Sequence, residues 1–219
     1  MGVDHVEFLV EEPSMEAALQ ALAPKILGNV SFAVHPHQCK QDLLEKLPGR
    51  LLGYSRWLPE DWRILVVVDR DNEDCHRLKR RLERMASKAG LTTRSAARGS
   101  TYRVVNRLAI EELEAWYFGD WEAVQGAYPR VPATVPLQPR YHNPDGIRGG
   151  TWESFERILK DARHVQGGLR KIEAARAIAA HMDPERNTSR SFQVFHAALR
   201  EMVSSWSVGT APLKPLQGR

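Results

Sequence analysis

Five consecutive apolar residues, Ile64, Leu65, Val66, Val67 and Val68, run straight into Asp69 and Asp71 in the stretch VVVDRDNED. Successive residues of a strand point to opposite faces. A strand apolar at every position must therefore be covered on both faces. That is the condition of a central strand in a parallel sheet, whose crossover helices lie on either side. The run thus predicts an α/β protein with helices wrapped around a mostly parallel sheet.

The surrounding pattern fits. Residues 3–10 alternate loosely and end in acids, which predicts a first strand. Pro13 and Ser14 open a helix to about Leu27, with Ser14 as its cap and Glu16 in its first turn. Pro24 is expected to kink or shorten it. Residues 30–34 predict a second strand. Residues 40–47 predict a short helix stopped by Pro48 and Gly49, followed by a loop over 50–62. A basic helix is expected over 74–89, ended by Gly90. Strands are expected at 91–94 and 102–108, and helices at 110–118 and 121–127. Residues 129–150 hold five prolines and read as a loop or linker. Beyond it the pattern is helical, at 152–160, 169–181 and 192–203. The division is an α/β region over 1–128, the linker, and a helical C-terminal region over 151–219.

Composition excludes several classes. No apolar run approaches the length of a membrane span. The N-terminal MGVDHVEFLVEE carries acids where a signal peptide needs positive charge. Cys39 and Cys75 are the only cysteines. Two cysteines cannot make a disulfide framework and suit a reducing cytoplasm. The net charge of +4 leans mildly towards anionic partners. Much of it crowds one segment, at Arg77, Lys79, Arg80, Arg81 and Arg84.

The chemistry is expected at strand ends, where open α/β sheets build their sites. Glu11 and Glu12 end the first strand, and Asp69 and Asp71 end the buried one. Crowded carboxylates repel unless a cation or proton relieves them. Mg²⁺ or Mn²⁺ takes such oxygen ligands and keeps waters for phosphate chemistry. The plain alternative is that the acids cap the next helix. Glu111 and Glu114, three apart on one helical face, are a second candidate metal position. Lys40 and Lys171 are candidates to touch a phosphate, against the alternative of solvated side chains. Arg77, Arg80, Arg81 and Arg84 share a helix face and offer a nucleic-acid rim, against the alternative of a solvated face. His35, His37 and Cys39 lack the paired spacing of a structural zinc site.

A strand ending in Glu, then a helix, then an apolar strand ending in Asp-x-Asp resembles the Toprim domain. That domain occurs in primases, topoisomerases and overcoming-lysogenization-defect nucleases. The resemblance implies that Glu11 is a general acid or base, that Asp69 and Asp71 bind Mg²⁺, and that Lys171 assists catalysis. The family usually has Gly after the Glu; here Glu12 and Pro13 follow. The segments LVEEPSMEAAL, KQDLLEKLPGRLLGY, VVVDRDNEDC, NRLAIEELEAWYFGD and TSRSFQVFHAAL together resemble a family of small bacterial Toprim-like proteins of unknown function. That likeness implies a neighbouring ATPase of the recombination-repair type and a mobile-element or phage-defence setting. The expectation is a cytoplasmic, Mg²⁺-dependent nuclease or other phosphodiester-processing protein, with homo-oligomerisation left open. Its rival is a non-catalytic Toprim-like subunit that binds nucleic acid or the ATPase.

Overall fold

The computed structural model describes residues 2–71, 73–98, 101–109 and 112–204. Four strands, β1 (His5–Val10), β2 (Ser31–Pro36), β3 (Trp62–Asp69) and β4 (Val104–Ala109), form one all-parallel sheet in the order β2-β1-β3-β4. The helices α1 (Pro13–Leu27), α2 (Lys40–Trp57) and α3 (Cys75–Lys88) cross between them. After β4 come α4 (Glu114–Gly119), α5 (Trp121–Ala127), α6 (Thr151–Asp161), α7 (Lys171–His181) and α8 (Arg190–Ser204). No helix among the described residues is long and apolar enough to cross a membrane.

Strand β3 divides the interior as its sequence demands. Ile64, Val66 and Val68 pack with Leu43, Leu47 and Leu51 of α2 and Leu78 and Leu82 of α3. Leu65 and Val67 pack on the opposite face with α1 and the helices after β4. Each fully buried aliphatic side chain contributes roughly 1.5–3 kcal/mol, so polarity at either parity would break one core. The C-terminal helices share the second core, through residues such as Phe155, Ile178 and Phe195. Lys25 of α1 fastens them by donating to the carbonyls of Ala179, Ala180 and Met182 at 3.1, 2.8 and 2.8 Å, at the end of α7. Residues 129–150 hold only two 3₁₀ turns, Val135–Leu137 and Pro144–Gly146. The segment nevertheless buries Val131, Val135, Tyr141 and Ile147 in that core.

Several local expectations are corrected. Helix α2 does not stop at Pro48 and Gly49 but continues to Trp57, taking up most of the expected 50–62 loop. Leu43, Leu44, Leu47, Leu51 and Tyr54 recur at helical spacing and are buried, whereas Pro48 is exposed. Packing along one stripe outweighs a proline whose missing N–H falls on the solvent side. Helix α1 likewise runs through Pro24. It begins at Pro13, so Ser14 is not its cap; the Ser14 hydroxyl donates instead to the Glu12 carboxylate. Of the strand expected at 91–94, only a bridge from Thr93 to Val104 forms. The helix expected over 110–118 begins at Glu114, with Glu112 and Leu113 outside it, while residues 110 and 111 lie outside the described residues.

Candidate active site

The strand order creates a switch point. From β1 the chain crosses to β2 on one side, and from β3 it crosses to β4 on the other. The loops leaving β1 and β3 therefore part, and a crevice opens between them at the carboxyl ends of the strands. Glu11 and Glu12 leave β1 there, and Asp69 ends β3 there.

Glu11 reaches across the gap, its Oε2 accepting the backbone N–H of Asp69 at 3.0 Å. Burial pushes the Glu11 carboxyl up to about 7, with Asp71 and Glu12 adding to the rise and the Asp69 N–H and Lys40 opposing it. Asp69 is only 7% exposed, and its Oδ1 is buried without a hydrogen-bond partner. Burial holds its carboxyl well above the usual carboxylate range, and Glu11, Glu114, Glu12 and Asp71 all push the same way. A buried acceptor left unpaired is costly, and it calls for a proton or a cation.

Asp71 lies one turn outward in a left-handed conformation, φ 49°. Its Oδ2 is 2.5 Å from Lys40 Nζ. Lys40, the first residue of α2, also donates to the Arg70 carbonyl at 3.1 Å and pairs with Glu73 at 3.3 Å. Glu114, the first residue of α4, is 3% exposed and lies near enough to Asp69 to push its carboxyl up. Burial pushes its carboxyl up to about 7 against the opposing pull of Lys171. Glu112 accepts the backbone N–H of Trp152 at 2.8 Å, and burial raises its carboxyl too. Lys171, the first residue of α7, rests its ammonium 4.7 Å from the centre of the Trp152 ring. Burial alone would lower the Lys171 ammonium; Glu114, Glu12, Glu112 and Asp69 more than offset it and hold it above its usual range.

The crevice thus gathers carboxylates around Asp69, with Lys40 on Asp71 and Lys171 acting on Glu114 and Asp69. Glu11, Asp69, Asp71, Glu114, Lys40 and Lys171, singled out in the sequence, come together here. Glu111 lies outside the described residues. Glu112 and Glu73 join the cluster without having been singled out as site residues. The doubled acids of IEELE and DNED were the signal for them, but helix-terminal acids are ordinary enough to hide it. Among the described residues, no group of three or more His, Cys, Asp or Glu side chains is arranged to hold a metal ion. Lys40 engages Asp71, and Glu11 Oε2 accepts the Asp69 N–H.

Arg77, Arg80, Arg81 and Arg84 are exposed on α3, opposite its buried Leu78, Leu82 and Ala86. Asp74 caps α3 by accepting the Arg77 N–H at 2.6 Å. Lys79 turns inward instead and pairs with Glu83 at 3.1 Å. His35 pairs with Glu7, and His37 Nδ1 meets the Val10 carbonyl at 2.9 Å, so His35, His37 and Cys39 make no joint site.

Fold and crevice define a parallel α/β protein with a carboxylate cluster at its switch point. The chain belongs to the family described as "Domain of unknown function (DUF4276)", whose model matches residues 10–200. No curated protein and no solved structure matches it.

Proposed function

We propose that this protein is a Toprim-type, Mg²⁺- or Mn²⁺-dependent enzyme that processes phosphodiesters of nucleic acid in the cytoplasm. The observation that carries this reading is the buried, unpartnered Oδ1 of Asp69 at the switch point, where Glu11 and Glu114 both push its carboxyl up. The side-by-side placement of β1 and β3 supports it, because that brings the first-strand Glu to the Asp-x-Asp. The donor set is all oxygen, which suits a hard divalent cation. Asp69, Asp71, Glu11 and Glu114 are the residues that would hold it, with Asp71 turned from Lys40. A cation bound there supplies charge for the phosphoryl oxygens and lowers the pKa of bound water.

The chain's own groups have separate tasks. Glu11, at the Asp69 N–H, is the carboxyl that would give or take a proton, in line with the acid/base role the Toprim resemblance implies. Lys171 counters charge on the substrate from the side of Glu114. Arg77, Arg80, Arg81 and Arg84 draw the phosphate backbone towards a crevice that would otherwise repel it.

The test is cleavage of single- and double-stranded DNA and RNA with Mg²⁺ or Mn²⁺, against Asp69→Ala. Cleavage that needs metal and vanishes in the variant, while binding survives, supports the reading. Absence of binding to any of these at low salt, alone and with a recombination-repair-type ATPase, sinks it. A second reading is a non-catalytic subunit that recognises nucleic acid or such an ATPase. The Lys40–Asp71 pair, which satisfies Asp71 without a metal, favours it. Binding without cleavage would select that subunit.

A further inference from the structure

Lys40 is an unusual neighbour for a metal site. Its ammonium has three acceptors, Asp71 Oδ2 at 2.5 Å, the Arg70 carbonyl at 3.1 Å and Glu73 Oε1 at 3.3 Å. Its side chain is only 14% exposed, so the cation is held inside the mouth of the crevice. The carboxylates around it are held to different degrees. Asp69 is buried at the end of a central strand, with Oδ1 unpartnered. Glu11 is pinned to the Asp69 N–H. Asp71 is beyond the strand, in a left-handed conformation that non-glycine residues adopt at a cost, and its side chain is 47% exposed. The site therefore has a fixed half, Asp69 and Glu11, and a movable half, Asp71, which Lys40 ties back.

We infer that Lys40 is the site's internal cation: it holds Asp71 in the metal-free protein and releases it to an incoming divalent cation, freeing its ammonium for the substrate phosphate. The inference rests on the proposed function, because it presupposes a cation at Asp69. The exchange balances in charge. Asp71 trades one cationic partner for another, and Lys40 keeps its proton. A divalent cation beside Asp69 repels a nearby ammonium, and the exposed side of the crevice is where that ammonium can go. A phosphate oxygen is the natural replacement partner for three N–H donors that have lost a carboxylate. Metal binding and the release of Lys40 are then one coupled equilibrium, and the coupling is reciprocal.

The test is calorimetric titration of Mn²⁺ into the wild-type protein, Lys40→Met and Lys40→Arg. Met keeps the buried stem and removes the charge. Lys40→Met should bind Mn²⁺ roughly tenfold more tightly, the usual size of such coupling, while Lys40→Arg stays within about threefold of wild type. A complementary readout uses the wild-type chain alone, following acetylation of Lys40 by mass spectrometry. Labelling should be slow without metal, faster with Mg²⁺, and slow again with Mg²⁺ plus a cleavage-resistant phosphorothioate oligonucleotide. Equal or weaker Mn²⁺ binding by Lys40→Met, or labelling indifferent to Mg²⁺, overturns the inference and leaves the proposed function standing. Absence of metal binding by wild type and variants alike overturns both. Binding by Lys40→Met alone supports the inference in its strongest form, with Lys40 as a block.

Discussion

Replacing Glu114 by Gln tests the electrostatics of the crevice without needing a substrate. Glu114 is 3% exposed, and burial lifts its carboxyl from 4.5 to about 7, with Lys171 pulling the other way. In the metal-free protein the sign is fixed by linkage. Below pH 4.5 folded and unfolded chains both hold the proton, and the residue costs nothing. Between 4.5 and about 7 the unfolded chain releases it while the folded chain retains it, so stability falls as pH rises. Above 7 the loss levels off at roughly 3 kcal/mol, from about 1.4 kcal/mol for each unit between the two values. Gln keeps the shape and cannot ionise. Glu114→Gln in EDTA should therefore gain roughly 2–3 kcal/mol at pH 8 but less than about 1 kcal/mol at pH 5. For a chain of this size that is an upward melting shift of roughly 5–10 °C at pH 8, shrinking to about 3 °C or less at pH 5. Thermal melts followed by circular dichroism at the two pH values read it directly. An equal shift at both would show that packing, and not charge, sets the difference. A lower melting point at pH 8 would mean that attraction to Lys171 outweighs desolvation, and the electrostatic account of the crevice would be refuted.

Other outcomes follow from the same geometry. Arg80→Ala combined with Arg84→Ala should weaken nucleic-acid binding about equally for all sequences and reduce the salt slope by about two charges, as read by fluorescence anisotropy across a salt series. Asp120→Ala should destabilise by roughly 2–3 kcal/mol in urea titrations, from a lost cap and lost buried hydrogen bonds. The reason is that Asp120, 1% exposed, accepts the Asp183 N–H at 2.8 Å and Arg186 Nε at 2.7 Å and caps α5. Pro48→Ala should raise the melting temperature, restoring a helical N–H on the exposed side of α2, with a gain of about 1–3 kcal/mol. No gain there would mean that the chain around Pro48 is already fully accommodated.

The sheet was legible because β3 carries its constraint in every residue. Five apolar positions in a row leave no face for solvent, and the acids at the strand's end locate its carboxyl edge. The prolines misled where packing ruled. Pro48 and Pro24 are strong local breakers, but the stripe from Leu43 to Tyr54 and the burial of Leu22, Ala23 and Leu27 extend over more residues than either proline disturbs. Residues 129–150 look like a spacer by composition, yet Tyr141 and Ile147 belong to the same core as Phe8. Only long-range contact reveals that. In the site, Glu11, Asp69 and Asp71 were recognisable from strand ends. Strand order is what makes Glu11 meet Asp69, and no local pattern encodes it. The grip of Lys40 on Asp71 joins residues 31 apart, and Glu112 reaches the Trp152 N–H across 40.

The choice between a helix-capping role and a chemical one for these acids turns on which residues do the capping. Asp74 caps α3, and Asp120 caps α5. The N-cap positions of α1 and α4 are Glu12 and Leu113, neither with a side-chain cap bond. Asp69 and Asp71 are thus relieved of the capping task that acids after a buried strand most often perform. A capping acid has its charge met by backbone N–H groups, as at Asp74 and Asp120. Asp69 and Glu114 are buried, and burial drives their carboxyls upwards. Glu11, partly covered, is driven the same way. A fold that needed only stability would gain by replacing such groups with apolar or amide side chains. Concentrating that penalty at the one crevice the strand order opens, between Lys40 and Lys171, makes sense for a site in which a cation or a reacting proton relieves it.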